Sequence, residues 1–188
     1  PSIKIIGRGG VGMDNIDVDY ARSKDIKVIN TPAASSASVA ELVFAHLFGG
    51  VRFLYDSNRN MPLDGDSKFK ELKKNYGGGR ELRGKTLGIV GLGRIGQEVA
   101  KIGIGCGMKV IASDKFMETT TISVAFYDKQ KLDFKIQTIP FEQLLKESDF
   151  ISVHVPAQKD YIFGKTEFNK MKDGAAIINA ARGGVIDE

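Results

Sequence analysis

Three short apolar runs in the second half of the chain, Leu87–Val90, Met108–Ala112 and Phe150–Val155, have the length of buried strands and lack the alternation of half-exposed ones. A fourth run, Ala175–Asn179, reads the same way. Between the first two, Ile95, Val99 and Ile102 recur at helical spacing. Pro140–Glu147 and Thr166–Met171 predict short helices, the second opened at Lys165-Thr166 and closed by Asp173-Gly174. Strand alternating with helix predicts an α/β domain with a doubly wound parallel sheet. One segment breaks the rhythm. Ile122, Val124 and Phe126 alternate, as do Leu132, Phe134 and Ile136, around the polar Tyr127–Lys131. That is the pattern of a β-hairpin, spanning 121–138 and added at the sheet edge.

The first third follows another pattern. Ser2–Ile6 and Ile26–Ile29 predict strands, with a short helix from Asp17 to about Ser23 capped by Asp17. Ser36 or Ser38 can cap the next helix, and Ser38 with Glu41 makes a capping box. That helix, Val39 to about Leu54, is apolar nearly all round, which implies burial on two sides. His46 lies within it and reads as a packed residue. Residues 55–83 are polar and carry Pro62, Gly65 and Gly77–Gly79. They predict an arm with one short helix, Ser67–Lys74, reaching over a partner subunit.

The chemistry concentrates at Gly91-Leu92-Gly93-Arg94-Ile95-Gly96, a G-x-G-x-x-G turn between a strand and a helix. Asp114 ends the next strand, eighteen residues past Gly96. Such an order makes a dinucleotide site: the glycines allow a tight turn and close approach, and free N–H groups at the helix start receive phosphate. An acid at Asp114 would accept bonds from ribose hydroxyls and repel a 2′-phosphate, which favours NAD. Gly7-Arg8-Gly9-Gly10-Val11-Gly12 has the same spacing, but an acidic stretch follows it and the next strand ends in Asn30. It reads as a turn beside a cleft, not as a phosphate cradle. In a parallel sheet, ligands lie beyond the carboxyl ends of the strands. The Gly91 turn, Asp114, His154–Pro156 and Ala180–Arg182 all fall at such ends.

Composition narrows the classes. The chain has 188 residues, 42% of them hydrophobic, and a net charge of +4 with its lysines mostly near acids. Solvated helix faces account for that charge, so no nucleic-acid surface is expected. No run approaches a membrane span, and no metal-ligand spacing stands out. The single cysteine, Cys106, suits a reducing compartment and a cytoplasmic setting, and it reads as packed.

These segments together resemble the D-isomer-specific 2-hydroxyacid dehydrogenases. The resemblance rests on Gly9–Asp17, Val39–Leu42, Leu82–Gly96, His154–Pro156 and Asn179–Glu188. It implies hydride transfer between NAD and a D-2-hydroxy acid. Within the family, the first and last segments lean towards members acting on a phosphorylated three-carbon acid. The resemblance makes Gly91, Gly93, Arg94, Ile95 and Gly96 the pyrophosphate loop, Asp114 the ribose acid, and Val155 and Pro156 the adenine wall. Ala180, Ala181 and Arg182 would flank the nicotinamide ribose, and Arg182 would bind the substrate carboxylate. It also implies a homodimer built from the 39–54 helix and the 55–83 arm. Pro1 reads as no natural start, and the catalytic glutamate and histidine are expected beyond Glu188. Residues 1–188 are therefore expected to form the NAD-binding domain without its substrate-binding partner, binding NADH with little turnover. Other expectations the resemblance carries are a glyoxylate or hydroxypyruvate reductase and an NAD-sensing corepressor.

Overall fold

The computed structural model describes residues 2–188, so Pro1 lies outside the described residues. Strand β1 (Ile5–Arg8), helix α1 (Val18–Ser23) and strand β2 (Lys27–Asn30) come first. β1 and β2 pair in parallel as a two-stranded sheet of their own. The Asp17 carboxylate accepts from the Tyr20 N–H at 2.8 Å and caps α1.

Helix α2 (Ser36–Val51) starts earlier than its sequence implied. Ser35 is the cap residue and makes no side-chain cap bond, while the Val39 N–H to Ser35 carbonyl bond closes the first turn. Ser38 and Glu41 are therefore already inside the helix, and they form no capping box. Burial follows a single stripe, Ala40, Val43, Phe44, Leu47 and Val51, which packs on the later helix Arg94–Gly105. Leu42 and Phe48 stay exposed, as does His46, so within one chain the helix is covered on one side only.

Phe53, in the left-handed region at φ 54°, breaks α2 from helix α3 (Leu54–Tyr76). The loop expected over residues 55–66 is helical. Pro62 and Gly65 lie inside it, and Leu72 is its one buried residue. No apolar stripe announces such a helix, and it is held by local polar pairs. Lys68 and Asp64 pair at 3.4 Å, and the Arg59 guanidinium stacks on the Tyr55 ring at 4.9 Å. At Lys68 (φ −121°, ψ 22°) the helix kinks and folds back, so the Asn60 amide donates to the Tyr76 hydroxyl at 2.9 Å.

The main sheet is made of β3 (Thr86–Val90), β4 (Lys109–Ser113), β7 (Phe150–Val153) and β8 (Ala176–Asn179), in the order β4-β3-β7-β8 with every pair parallel. β3 and β7 are buried throughout, as continuous apolar runs in a covered sheet should be. Helix α4 (Arg94–Gly105) lies on one face with α2, where Val99 is fully buried and Ile95 and Ile102 pack on the same cluster. Helix α5 (Phe141–Glu147) covers the other face through Leu144 and Leu145. The short helix α6 (Lys165–Phe168) precedes β8, and the Glu167 carboxylate accepts from the Gly164 N–H at its start.

Strands β5 (Thr119–Ala125) and β6 (Lys131–Gln137) form an antiparallel pair of their own. The Ala112–Thr138 bridge ties it to the β4 edge. Ile122 and Ile136 anchor one end in the core, which contributes about 1.5–3 kcal/mol per side chain. Leu132, Phe126 and Tyr127 at the other end are exposed.

Candidate functional site

Because the main strands are parallel, their carboxyl ends share one rim. The Gly91 turn follows β3, Asp114 follows β4, His154 follows β7 and Ala180 follows β8. Gly91 has φ 92°, and a Cβ there would overlap the His154 carbonyl. A Cβ at Gly96 would overlap the Gly91 carbonyl, so the helix can sit against the turn only without a side chain. Gly93 meets nothing within 4 Å and leaves the mouth of the turn open. One glycine bends the chain, one lets the helix close on it, and one keeps a face clear: this donor set fits a diphosphate at the start of α4.

Asp114 grips the same turn. Its Oδ2 accepts from the Leu92 N–H at 2.7 Å, and its Oδ1 accepts from the Phe116 N–H at 2.8 Å. An ionised carboxylate has about four acceptor sites, so the acid retains capacity for a further partner. Gly91, Gly93, Asp114, Val155 and Pro156 line one cavity of about 500 Å3. Phe116, Phe141, Gln158 and Ile162 line it as well. Of these, only Phe116 was signalled in the sequence, by lying two residues past the acid, and the structure leaves it exposed.

His154 lines this cavity beside the turn. Its Nε2 lies 2.7 Å from the Ser152 hydroxyl, and Nδ1 is buried without a partner. Burial pushes its pKa from 6.5 down to about 4, so the ring is neutral near pH 7. Its backbone N–H donates to the Val90 carbonyl at 2.7 Å, which carries the β3–β7 pairing one residue past the end of β7.

A second cavity, of about 420 Å3, lies on the other side of the turn. Ile95, Ala180 and Arg182 line it, joined by Arg8, Gly12 and Asp14 from the segment around β1. The Arg182 guanidinium pairs with Asp14, Nε to Oδ2 at 3.2 Å, and its Nη1 donates to the Ala181 carbonyl at 2.8 Å. The residues picked from the sequence thus divide between two cavities. Arg94, exposed at the helix start, Gly96, buried beneath the turn, and the half-buried Ala181 line neither. Arg8 and Asp14 were missed, because only the folded chain brings them to Arg182.

Elsewhere, burial raises the pKa of the Cys106 thiol, which lies outside both cavities. Among the described residues, no cluster of His, Cys, Asp or Glu could hold a metal ion, and no single helix is long and apolar enough to cross a membrane.

Residues 44–188 match the family described as D-isomer specific 2-hydroxyacid dehydrogenase, NAD binding domain. The chain belongs to the D-isomer-specific 2-hydroxyacid dehydrogenases. The cofactor of this dehydrogenase domain is NAD. Over 189 residues the chain is 43% identical to the hydroxypyruvate reductase of Thermotoga maritima, covering all of this chain and 56% of that protein. It is 41% identical over 190 residues to the D-3-phosphoglycerate dehydrogenase of Archaeoglobus fulgidus, covering 33% of that protein. The D-lactate dehydrogenase of Aquifex aeolicus, solved with NAD and lactic acid, superposes with a TM-score of 0.71 at 35% identity over all of this chain and 52% of that one. This dehydrogenase chain therefore spans between a third and somewhat over half the length of these relatives.

Proposed function

We propose that this chain is the cofactor-binding half of an enzyme that moves a hydride between NAD and a D-2-hydroxy acid. The observation that carries the reading is the pair of cavities flanking the Gly91–Gly96 turn, one bordered by Asp114 and the other by Arg182. The nicotinamide, when bound, would take the hydride from the hydroxy acid or, as NADH, return it to the keto acid. The turn and the start of α4 receive its diphosphate, Asp114 takes the ribose hydroxyls, and Val155 and Pro156 border the adenine. Ala180 and Ala181 flank the nicotinamide ribose, and Arg182 binds the substrate carboxylate and polarises the group being reduced.

For the substrate, we favour D-3-phosphoglycerate and its keto product, 3-phosphohydroxypyruvate, at the entry to serine synthesis. Arg8 supports this choice. It places a second guanidinium in the Arg182 cavity, which suits an acid carrying another anionic group. Hydroxypyruvate reduction is the second reading, favoured by the 43% identity to the Thermotoga protein. We place the enzyme in the cytoplasm as a homodimer joined through α2 and α3, whose Leu42, Phe48, Leu54 and Leu63 are exposed in one chain. The test is twofold. Saturable NADH binding by the 188-residue chain, tighter than NADPH binding, is expected; its absence ends the reading. In the full-length enzyme, kcat/KM for 3-phosphohydroxypyruvate is expected to exceed that for hydroxypyruvate or glyoxylate, and the reverse order selects the second reading.

A further inference from the structure

The glycine turn after β1 has the spacing of a phosphate cradle, yet none of its residues faces the Asp114 cavity. Its own anchoring shows a different task. The Asn30 amide donates to the Val11 carbonyl at 2.8 Å. The Gly10 N–H donates to the Thr31 hydroxyl at 2.8 Å, and the Thr31 N–H returns a bond to the Gly10 carbonyl at 3.1 Å. The residue that ends β2, where a dinucleotide site would have its acid, is spent on holding this turn. Gly12, the last glycine of the turn, and Asp14, two residues past it, both meet Arg182. A Cβ at Gly12 would overlap Arg182 Nη2 and would lie 2.7 Å from Asp14 Oδ2. Asp14 Oδ2 itself lies 3.2 Å from Arg182 Nε.

We infer that Gly12 and Asp14 are positioning residues for Arg182, and that the first glycine turn serves as the holder of this guanidinium. The Asp14 carboxylate fixes the Nε side, the Ala181 carbonyl holds Nη1, and bare backbone at Gly12 gives Nη2 its place. Without the holder, a long and half-exposed arginine samples many rotamers, and substrate binding must then order it. The atoms that a Gly12 side chain would displace are the tips of two flexible side chains. Such a substitution therefore moves the guanidinium at little cost to the fold.

The inference rests on Arg182 as the carboxylate-binding residue, and the experiment separates the two. In the full-length enzyme, Gly12→Ala, Asp14→Asn, Asp14→Glu and Arg182→Gln are compared by KM and kcat for the keto acid, NADH affinity and Tm. Gly12→Ala and Asp14→Asn are expected to raise KM by about tenfold or more, as small misplacements of a substrate clamp do. NADH affinity and Tm stay at the wild-type values, and Asp14→Glu recovers most of the loss. If Arg182→Gln raises KM but the Gly12 and Asp14 variants stay within the few-fold effect of an ordinary surface ion pair, the holder is refuted and Arg182 keeps its role. Losses of Tm or NADH affinity in step with activity also refute it, since they mark a purely structural contact. If Arg182→Gln changes nothing, both readings fall. In the 188-residue chain, the Arg182 Nε–H resonance, identified by its loss in Arg182→Gln, should move to the free-arginine position in Asp14→Asn. An unmoved resonance would overturn the inference.

Discussion

Gly93→Ala separates binding from stability more cleanly than any other change at the turn. Gly93 caps α4 with φ −69° and ψ −163°, an extended backbone open to any residue. Nothing lies within 4 Å of the added methyl, so the folded chain has no clash to relieve. Two small effects oppose each other. Alanine is a poorer cap than glycine, but it lowers the entropy of the unfolded chain by about 0.4–1 kcal/mol. The net change in stability should stay within about 1 kcal/mol, or roughly 2–4 °C in Tm for a domain of this size. The methyl instead occupies the face left clear for the diphosphate. Losing one charge-assisted N–H contact costs about 1.5–3 kcal/mol, roughly ten- to a hundredfold in Kd. Gly96→Ala is the control, because its Cβ would overlap the Gly91 backbone carbonyl. Overpacking there should cost about 1–3 kcal/mol and lower Tm by several degrees. Thermal melts and NADH fluorescence titrations read both quantities. If Gly93→Ala binds NADH like the wild type, the turn is not the diphosphate site. If Gly96→Ala melts with the wild type, the packing argument fails.

Three further predictions follow from the same geometry. Asp114→Asn keeps an acceptor for the turn but removes the charge. It should narrow the preference for NADH over NADPH by at least about tenfold, since two like charges about 4 Å apart repel by about 4 kcal/mol at an effective dielectric near 20 and by less in salt; equal losses for both cofactors would contradict the ribose role. His154 has its pKa lowered from 6.5 to about 4 in the fold. The unfolded chain takes up this proton first, so His154 costs nothing above about pH 6.5 and removes up to about 3 kcal/mol of stability as the pH falls towards 4. Urea melts should show that slope flattened in His154→Gln, and matching slopes would exclude the histidine as its source. Finally, sedimentation is expected to show a dimer for the wild-type chain and a monomer for Leu42→Glu; a monomeric wild type would remove α2 from any subunit contact.

Several features were legible because they are local. The run from Leu87 to Val90, the glycines after it and the spacing of Ile95, Val99 and Ile102 specify strand, turn and helix within a few residues of each other. The alternation of Ile122, Val124, Leu132 and Phe134 likewise carries the antiparallel pairing in itself, with Ile122 opposite Phe134 and Val124 opposite Leu132. Residues 55–66 were misread because helix α3 buries almost nothing. With no apolar stripe to order it, Pro62 and Gly65 were the strongest local signals, and they pointed to a loop.

The sequence by itself determined the Gly91–Gly96 turn, the strands that lead into and out of it, and the acid at position 114, because turn chemistry and hydrophobic period act over short stretches of chain. Only the tertiary structure decided that Asp114 also braces the Leu92 N–H, and that Arg8 and Asp14 share a cavity with Arg182. Those contacts join side chains far apart along the chain. What fixes them is how the β1–β2 segment and the main sheet pack, and no local pattern of residues encodes that distance.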